Sequence, residues 1–156
     1  MSDRLAAQIE VAFEQLEKLL GTYRSLVERC ETARPDDVEL AALAAMLHSF
    51  YNGVENLLKR IAVENAEDLP QGDTWHRQLL DQMGSETEAR PQVIDSELQS
   101  RLHLYLAFRH VFRHSYTFDL QWEKMRELVL HCDETLGLLR NSVQGLLDGR
   151  SPDCCD

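Results

Sequence analysis

Apolar residues recur along this chain at intervals of three and four, a spacing that places them on one face of an α-helix. The clearest stripe keeps that interval without a break, through Trp122, Met125, Val129, Cys132, Leu136, Leu139, Val143 and Leu146. Similar stripes run through residues 5–27 and 43–61. Glycine and proline, which interrupt helices, number only 7 and 4 in 156 residues. The sequence therefore predicts an all-α protein.

Three connectors separate the first four predicted helices: "ARPDD" (33–37), "EDLPQGD" (67–73) and "GSETEARP" (84–91). The second and third connectors enclose a short helix at 75–83, and a further long helix starts near Ile94. We predict an up-and-down bundle of four long helices plus one short helix, in which the last long helix begins near Trp122. The bundle is expected to form one domain, residues 1–149, followed by a disordered tail at 150–156.

Composition limits the partners that such a bundle can have. The 27 acidic residues outnumber the 16 lysines and arginines, which gives a formal net charge of −11 and argues against a uniformly basic nucleic-acid binder. No apolar run is long enough to span a membrane, and no signal-peptide pattern or Cys-x-x-Cys pair occurs. We therefore expect a cytoplasmic protein with no membrane and no DNA partner, and no cofactor, because phosphate-loop and zinc-finger motifs are missing.

One segment reverses this charge balance. Residues 98–118 contain no aspartate or glutamate but keep three arginines and three histidines: Arg101, His103, Arg109, His110, Arg113 and His114. Burial of an apolar helix would explain the missing carboxylates, but it would not explain six retained basic or titratable groups. We interpret this acid-free segment as a functional site.

Helical geometry limits how the acid-free segment can form a site. At about 100° per residue, Arg109 and Tyr116 lie about 20° apart around a helix, whereas Arg109 and His114 lie about 140° apart. Arg109 and His114 can converge if the helix ends near Arg113 and the chain turns, or if a second copy of the chain completes the site. The two arrangements are compatible.

A metal site is the alternative use of these histidines. His103, His110 and His114 are seven and four residues apart, so three imidazoles could share one helix face and bind a transition metal. The set lacks a nearby carboxylate or thiolate, and Arg113 would oppose a cation. We therefore predict no metal, and we interpret His48, His76 and His131 as packed or surface histidines.

The stretch "RHVFRHSY" (109–116) reads R-x4-H-x-Y and resembles the motif of HepT-like ribonuclease toxins in the HEPN superfamily. Three further blocks are similar to those of HepT-like domains and follow in the same order: "SFYNGVENLLKRIA" (49–62), "TWHRQLLDQM" (74–83) and "ARPQVID" (89–95). The resemblance extends over about residues 5–147.

This resemblance implies a metal-independent endoribonuclease, the toxin of a type VII-like toxin–antitoxin pair. It implies a homodimer, alone or within a larger hetero-oligomer, that binds RNA in a composite cleft. Its partner would be an MNT-type nucleotidyltransferase antitoxin that silences the toxin by AMPylation of Tyr116. Arg109 and His114 would be the catalytic pair.

Other residues have secondary roles under this interpretation. Arg113, His110 and Arg101 are candidate contacts for RNA phosphates, and Glu55 is a candidate internal partner for an arginine. Trp75 and His76 are candidates for stacking on a base, although a tryptophan at the start of a short helix is more often part of the core. The alternative function is a non-catalytic helical interaction protein that binds a nucleotide or a nucleotidyltransferase through the same face.

Overall fold

A computed structural model describes residues 2–114, 116 and 119–149 of the protein. These residues form six helices: α1 (Asp3–Cys30), α2 (Asp37–Glu64), α3 (Trp75–Met83), α4 (Ser96–His114), α5 (Trp122–Leu130) and α6 (Cys132–Leu147). The described ranges contain no strand, so the all-α prediction is confirmed. None of the described helices is long and apolar enough to cross a membrane. The predicted tail at 150–156 lies outside the described residues.

The acidic residues that precede the second apolar stripe form the cap of α2. Asp36 is the N-cap, and its side chain accepts a hydrogen bond from the Glu39 backbone N–H at 2.8 Å. The Glu39 carboxylate in turn accepts one from the Asp36 N–H at 3.1 Å. This reciprocal capping box satisfies two backbone donors that a helix start leaves without partners, and thereby fixes where α2 begins.

Helix α2 lies at the centre of the fold, where it contacts α1, α3, α4 and α5. All six residues of its predicted stripe are buried: Leu43, Met46, Phe50, Val54, Leu57 and Ile61. Gly53 allows the close approach of α1, because a Cβ at this position would lie 2.5 Å from the Leu16 Cδ2 atom. Burial of this apolar face is the main stabilising contribution to the bundle.

The last predicted helix is observed as two helices, α5 and α6, which meet at His131. The Tyr105 hydroxyl donates a 2.7 Å hydrogen bond to the Leu128 carbonyl, the group that an uninterrupted helix would offer to the Cys132 N–H. The Thr135 hydroxyl donates to the His131 carbonyl at 2.8 Å. Side chains that bond to helix carbonyls in this way bend or interrupt a helix. The described chain therefore has six helices instead of five, although the apolar stripe stays buried on both sides of the break.

A buried ion pair fixes the connectors on both sides of α3. Arg90 is 4% exposed, and its Nε and Nη2 atoms donate to the two carboxylate oxygens of Glu67 at 2.6 and 2.7 Å. The same guanidinium donates to the carbonyls of Gln82, Ser85 and Pro91. Because Glu67 precedes α3 and Arg90 follows it, this pair sets the position of α3 against the rest of the bundle.

Two helical glycines provide a matched test of the contact between α1 and α2. We expect Gly53→Ala to lower the free energy of unfolding by about 1–3 kcal/mol, because the added methyl group overlaps Leu16 in the core. Gly21→Ala should instead raise it by up to about 1 kcal/mol, because nothing lies within 4 Å of that position and alanine favours the helix. Urea denaturation of both variants measures the difference, and equal stabilisation by both would contradict the close approach.

Candidate functional site

The guanidinium of Arg109 is the point at which α2, α3 and α4 meet. Arg109 lies on α4 and is partly buried. Its Nε donates a 2.7 Å hydrogen bond to Oδ1 of Asn52 on α2. Its Nη1 lies 3.3 and 3.4 Å from the two ring nitrogens of His76 on α3. Contacts from two other helices therefore fix the orientation of this side chain.

Glu55 supports His76 from the interior of the bundle. The residue is 4% exposed, and its Oε2 atom lies 2.6 Å from His76 Nδ1. A carboxylate only accepts, so Nδ1 carries the proton and donates to Glu55. Arg109 Nη1 lies 3.3 Å from Nδ1 and 3.4 Å from Nε2, so it lies over the face of the His76 ring, between the two nitrogens. The three side chains form a polar chain from Glu55 through His76 to Arg109.

A second polar chain connects Arg109 through Asn52 to His48. Because Asn52 Oδ1 accepts from Arg109, its Nδ2 donates to His48 Nε2 at 3.1 Å. Neutral His48 must then carry its proton on Nδ1, a buried atom with no hydrogen-bond partner in the part of the chain that the structure describes. Burial lowers the pKa of His48, and the charges of Arg109 and Arg113 lower it further. These effects keep His48 neutral and able to accept from Asn52.

The ring of Trp75 packs against the ring of His76. The two ring centroids are 3.7 Å apart, and the Lys59 ammonium lies 4.1 Å from the Trp75 ring. Trp75 is partly buried and packs against the core, in a position where it also lines a groove of about 400 Å³. The described contacts of Trp75 thus orient His76.

The end of α4 presents a group of exposed cationic and titratable side chains. His110, Arg113 and His114 are exposed, and the rings of the two histidines are 4.6 Å apart. Across the described ranges, no carboxylate forms an ion pair with any of the three. Tyr116, which follows α4, is 73% exposed. The exposed end of α4 is therefore an electropositive surface on an acidic protein.

Arg109 and His114 make separate contacts within one chain. Helix α4 extends to His114, so the angle of about 140° between the two side chains applies. His114 contacts His110, whereas Arg109 contacts Asn52 and His76. Tyr116 lies beyond the helix, so the helical face that it was predicted to share with Arg109 does not extend to it.

Two other members of the acid-free segment pair with carboxylates. Arg101 donates to Glu97 and to Glu134 of α6 at 3.3 Å each. His103 Nε2 lies 3.3 Å from Oδ1 of Asp81 on α3. These residues belong to contacts between helices, apart from the polar chains around Arg109. No group of three His, Cys, Asp or Glu side chains that could hold a metal ion occurs among residues 2–114, 116 and 119–149.

The α2 members of the polar chains form a pattern in the sequence. His48, Asn52 and Glu55 are spaced four and three apart, so they share one face of α2 in the same way as its apolar stripe. A polar stripe inside a helix with thirteen buried residues indicates an internal network. His76 could not be added from the sequence, because only the packing of α3 brings it to Glu55.

The protein is an all-α bundle whose fourth helix carries an anchored arginine and ends in exposed cationic side chains. A family model described as HepT-like protein matches residues 42–149, which include most of α2, all of α3 to α6 and all of the site. The chain therefore belongs to the HepT-like family of the HEPN superfamily, and the family resemblance noted in the sequence is confirmed. No curated protein and no solved structure matched the chain.

The lowered pKa of His48 predicts how stability depends on pH. The unfolded chain binds this proton near the ordinary histidine pKa of about 6.5, before the folded chain does, so stability falls as the pH drops below that value. His48→Gln keeps an acceptor for Asn52 but does not titrate. We expect its free energy of unfolding to fall less than that of the wild type between about pH 7 and pH 5. Equal slopes in chemical denaturation would contradict the assignment.

Proposed function

We propose that this protein is a metal-independent endoribonuclease toxin that acts in the cytoplasm as a homodimer. The observation that carries the proposal is the anchored guanidinium of Arg109 on a helix whose exposed end has histidines and no paired carboxylate. RNA is a polyanion, and an acidic protein can bind it only where its own carboxylates are kept away. The end of α4 meets that condition.

The residue types suit RNA cleavage by attack of the ribose 2′-hydroxyl on the adjacent phosphate. This reaction needs removal of the hydroxyl proton, stabilisation of charge at phosphorus and protonation of the leaving 5′-oxygen. A histidine moves protons near neutral pH, which assigns His114 as the general acid or base. An arginine binds the nonbridging oxygens as negative charge develops on them, which assigns Arg109 as the electrostatic catalyst.

The separation of Arg109 from His114 in one chain supports a composite site made by two copies. Leu104 and Val111 are 60% and 52% exposed, and they lie seven residues apart on one face of α4. Beside them, a groove of about 340 Å³ between α4 and α5 is lined by Phe108, Val111 and Leu120. Exposed apolar surface next to a functional site is typical of an interface, here with a second copy. The dimer would bring the two ends of α4 together.

The secondary phosphate contacts differ in their availability. His110 and Arg113 are exposed and have no ion-pair partner among the described carboxylates, so they are the stronger candidates. Arg101 is already bonded to Glu97 and Glu134. It would have to leave those carboxylates to bind phosphate, so we assign it the smaller contribution.

The exposure of Tyr116 supports its role as the silencing residue. Its side chain is 73% exposed, two residues beyond the end of α4, where an MNT-type nucleotidyltransferase antitoxin could reach the phenol. AMP on this oxygen would add an anionic phosphate two residues beyond the cationic end of α4 and repel RNA. Toxin dimer and antitoxin would then form a larger hetero-oligomer.

Cleavage of RNA in a chelator tests the proposed activity. The wild type should generate ends with a cyclic phosphate, and Arg109→Ala or His114→Ala should lower the rate by about 10²- to 10⁴-fold, because each removes one catalytic group. Arg126→Ala and His131→Ala are matched controls on exposed positions of α5 and the α5–α6 junction, and they should keep wild-type activity. Equal rates in all variants would refute the catalytic assignment. Tight antitoxin binding without RNA turnover would support the non-catalytic alternative.

Intact mass of the protein produced together with an MNT-type nucleotidyltransferase tests the silencing. We expect AMP-sized increments on the wild type and their loss in Tyr116→Phe, which removes only the acceptor oxygen. Tyr23→Phe, a partly buried tyrosine of α1, is the matched control and should still be modified. Increments that persist in Tyr116→Phe would assign the modification to another residue.

A further inference from the structure

We infer that Glu55 and His76 are positioning residues that, with Asn52, present one edge of the Arg109 guanidinium to the scissile phosphate. The inference rests on the proposed function and adds to it, since the R-x4-H-x-Y motif contains none of these three side chains. Two residues of α2 and one of α3 contact or support an arginine of α4. The inference depends on which guanidinium protons already donate to the protein and which remain available to a phosphate.

The contacts with the protein use two of the three guanidinium nitrogens. Nε donates to Asn52 at 2.7 Å, and Nη1 lies against His76. Nη2 has no hydrogen-bond acceptor within the described ranges. The end of the guanidinium between Nη1 and Nη2 matches two nonbridging oxygens of one phosphate. The protein thus fixes Arg109 at Nε and Nη1 and leaves the Nη1–Nη2 end for substrate.

Glu55 orients the His76 ring. Because the carboxylate accepts from Nδ1, it fixes the His76 proton on Nδ1 and holds the ring in one orientation. The face of that ring lies against Arg109 Nη1, which is 3.3 and 3.4 Å from the two ring nitrogens. Hydrogen-bonded partners behind a functional group commonly fix its tautomer in this way, and their loss costs about 10- to 100-fold at metal sites.

Stability alone does not account for the carboxylate of Glu55. The residue lies among the buried Tyr51, Val54 and Leu58 on α2, where an apolar side chain would continue the core. Replacing both partners of a buried hydrogen bond by apolar groups of similar shape is often neutral or stabilising. The one hydrogen-bond partner of Glu55 among the described residues is His76. The position of this carboxylate is therefore explained by the orientation that it gives to the His76 ring beside Arg109.

A kinetic cycle tests the positioning role. Glu55→Gln keeps the shape of the side chain but no longer fixes the His76 tautomer, so we expect kcat for RNA cleavage to fall about 10- to 100-fold. KM should change less, because Arg109 acts on charge that develops in the transition state. In an Arg109→Ala background the same substitution should have no further effect, since it acts only through Arg109. Glu14→Gln, an exposed glutamate of α1, is the matched control and should leave kcat unchanged.

A measurement without RNA separates this inference from the proposed function. The Nη1–H signal of Arg109 in low-temperature ¹⁵N NMR, assigned by its loss in Arg109→Ala, should be protected from exchange in the wild type and exposed in Glu55→Gln, because Nη1 is the atom that contacts His76. If the wild type cuts no RNA but the signal responds, the proposed activity fails and the anchoring stands. The Glu55→Leu, His76→Phe double variant removes both polar groups together, so no buried carboxylate is left unpaired. It should fold, and it should lose the protected signal.

Two results would overturn the inference. One is an Arg109 signal that is equally protected in the wild type and in both variants, because the anchoring would then not depend on Glu55 or His76. The other is a loss of kcat in Glu55→Gln that multiplies with the loss in Arg109→Ala, because Glu55 would then act on another group.

Discussion

A carboxylate buried in an apolar helix face must find a compensating partner, and the way in which Glu55 does so organises the site of this protein. Its charge fixes the proton of His76 and orients the ring, and the face of that ring lies against Arg109 Nη1. Since these side chains come from α2, α3 and α4, the polar chain also fixes the relative positions of three helices. The buried Arg90–Glu67 pair has a similar effect, because it fixes the connectors before and after α3.

The charges of the protein are distributed so that one helix end stays electropositive. Helix α4 has no carboxylate after Glu97. Carboxylates from other helices pair with two of its residues: Glu134 of α6 with Arg101, and Asp81 of α3 with His103. His110, Arg113 and His114 receive none from the described residues. A protein with a net charge of −11 can thereby keep a local surface for a polyanion, while its remaining surface repels one.

The length of α4 has a consequence for the site as a whole. Because the helix remains regular as far as His114, the arginine and the histidine of the motif point in different directions within one chain. This separation, together with the exposed apolar face of α4, is the basis of the proposed two-copy site. The contacts that anchor Arg109 all lie within one copy, so its orientation does not depend on such an association.

The sequence by itself determined the all-α class, the limits of α3, the buried stripes of α2 and of residues 122–146, and the family, because helical periodicity and short motifs are local properties. The break at His131 was decided by the tertiary structure, since the Tyr105 hydroxyl that bonds to Leu128 comes from a different helix. The polar chains of Arg109 were decided in the same way. His76 is distant in sequence from both Glu55 and Arg109, and a hydrogen bond at 2.6 Å depends on how helices pack and not on the spacing of residues within one helix.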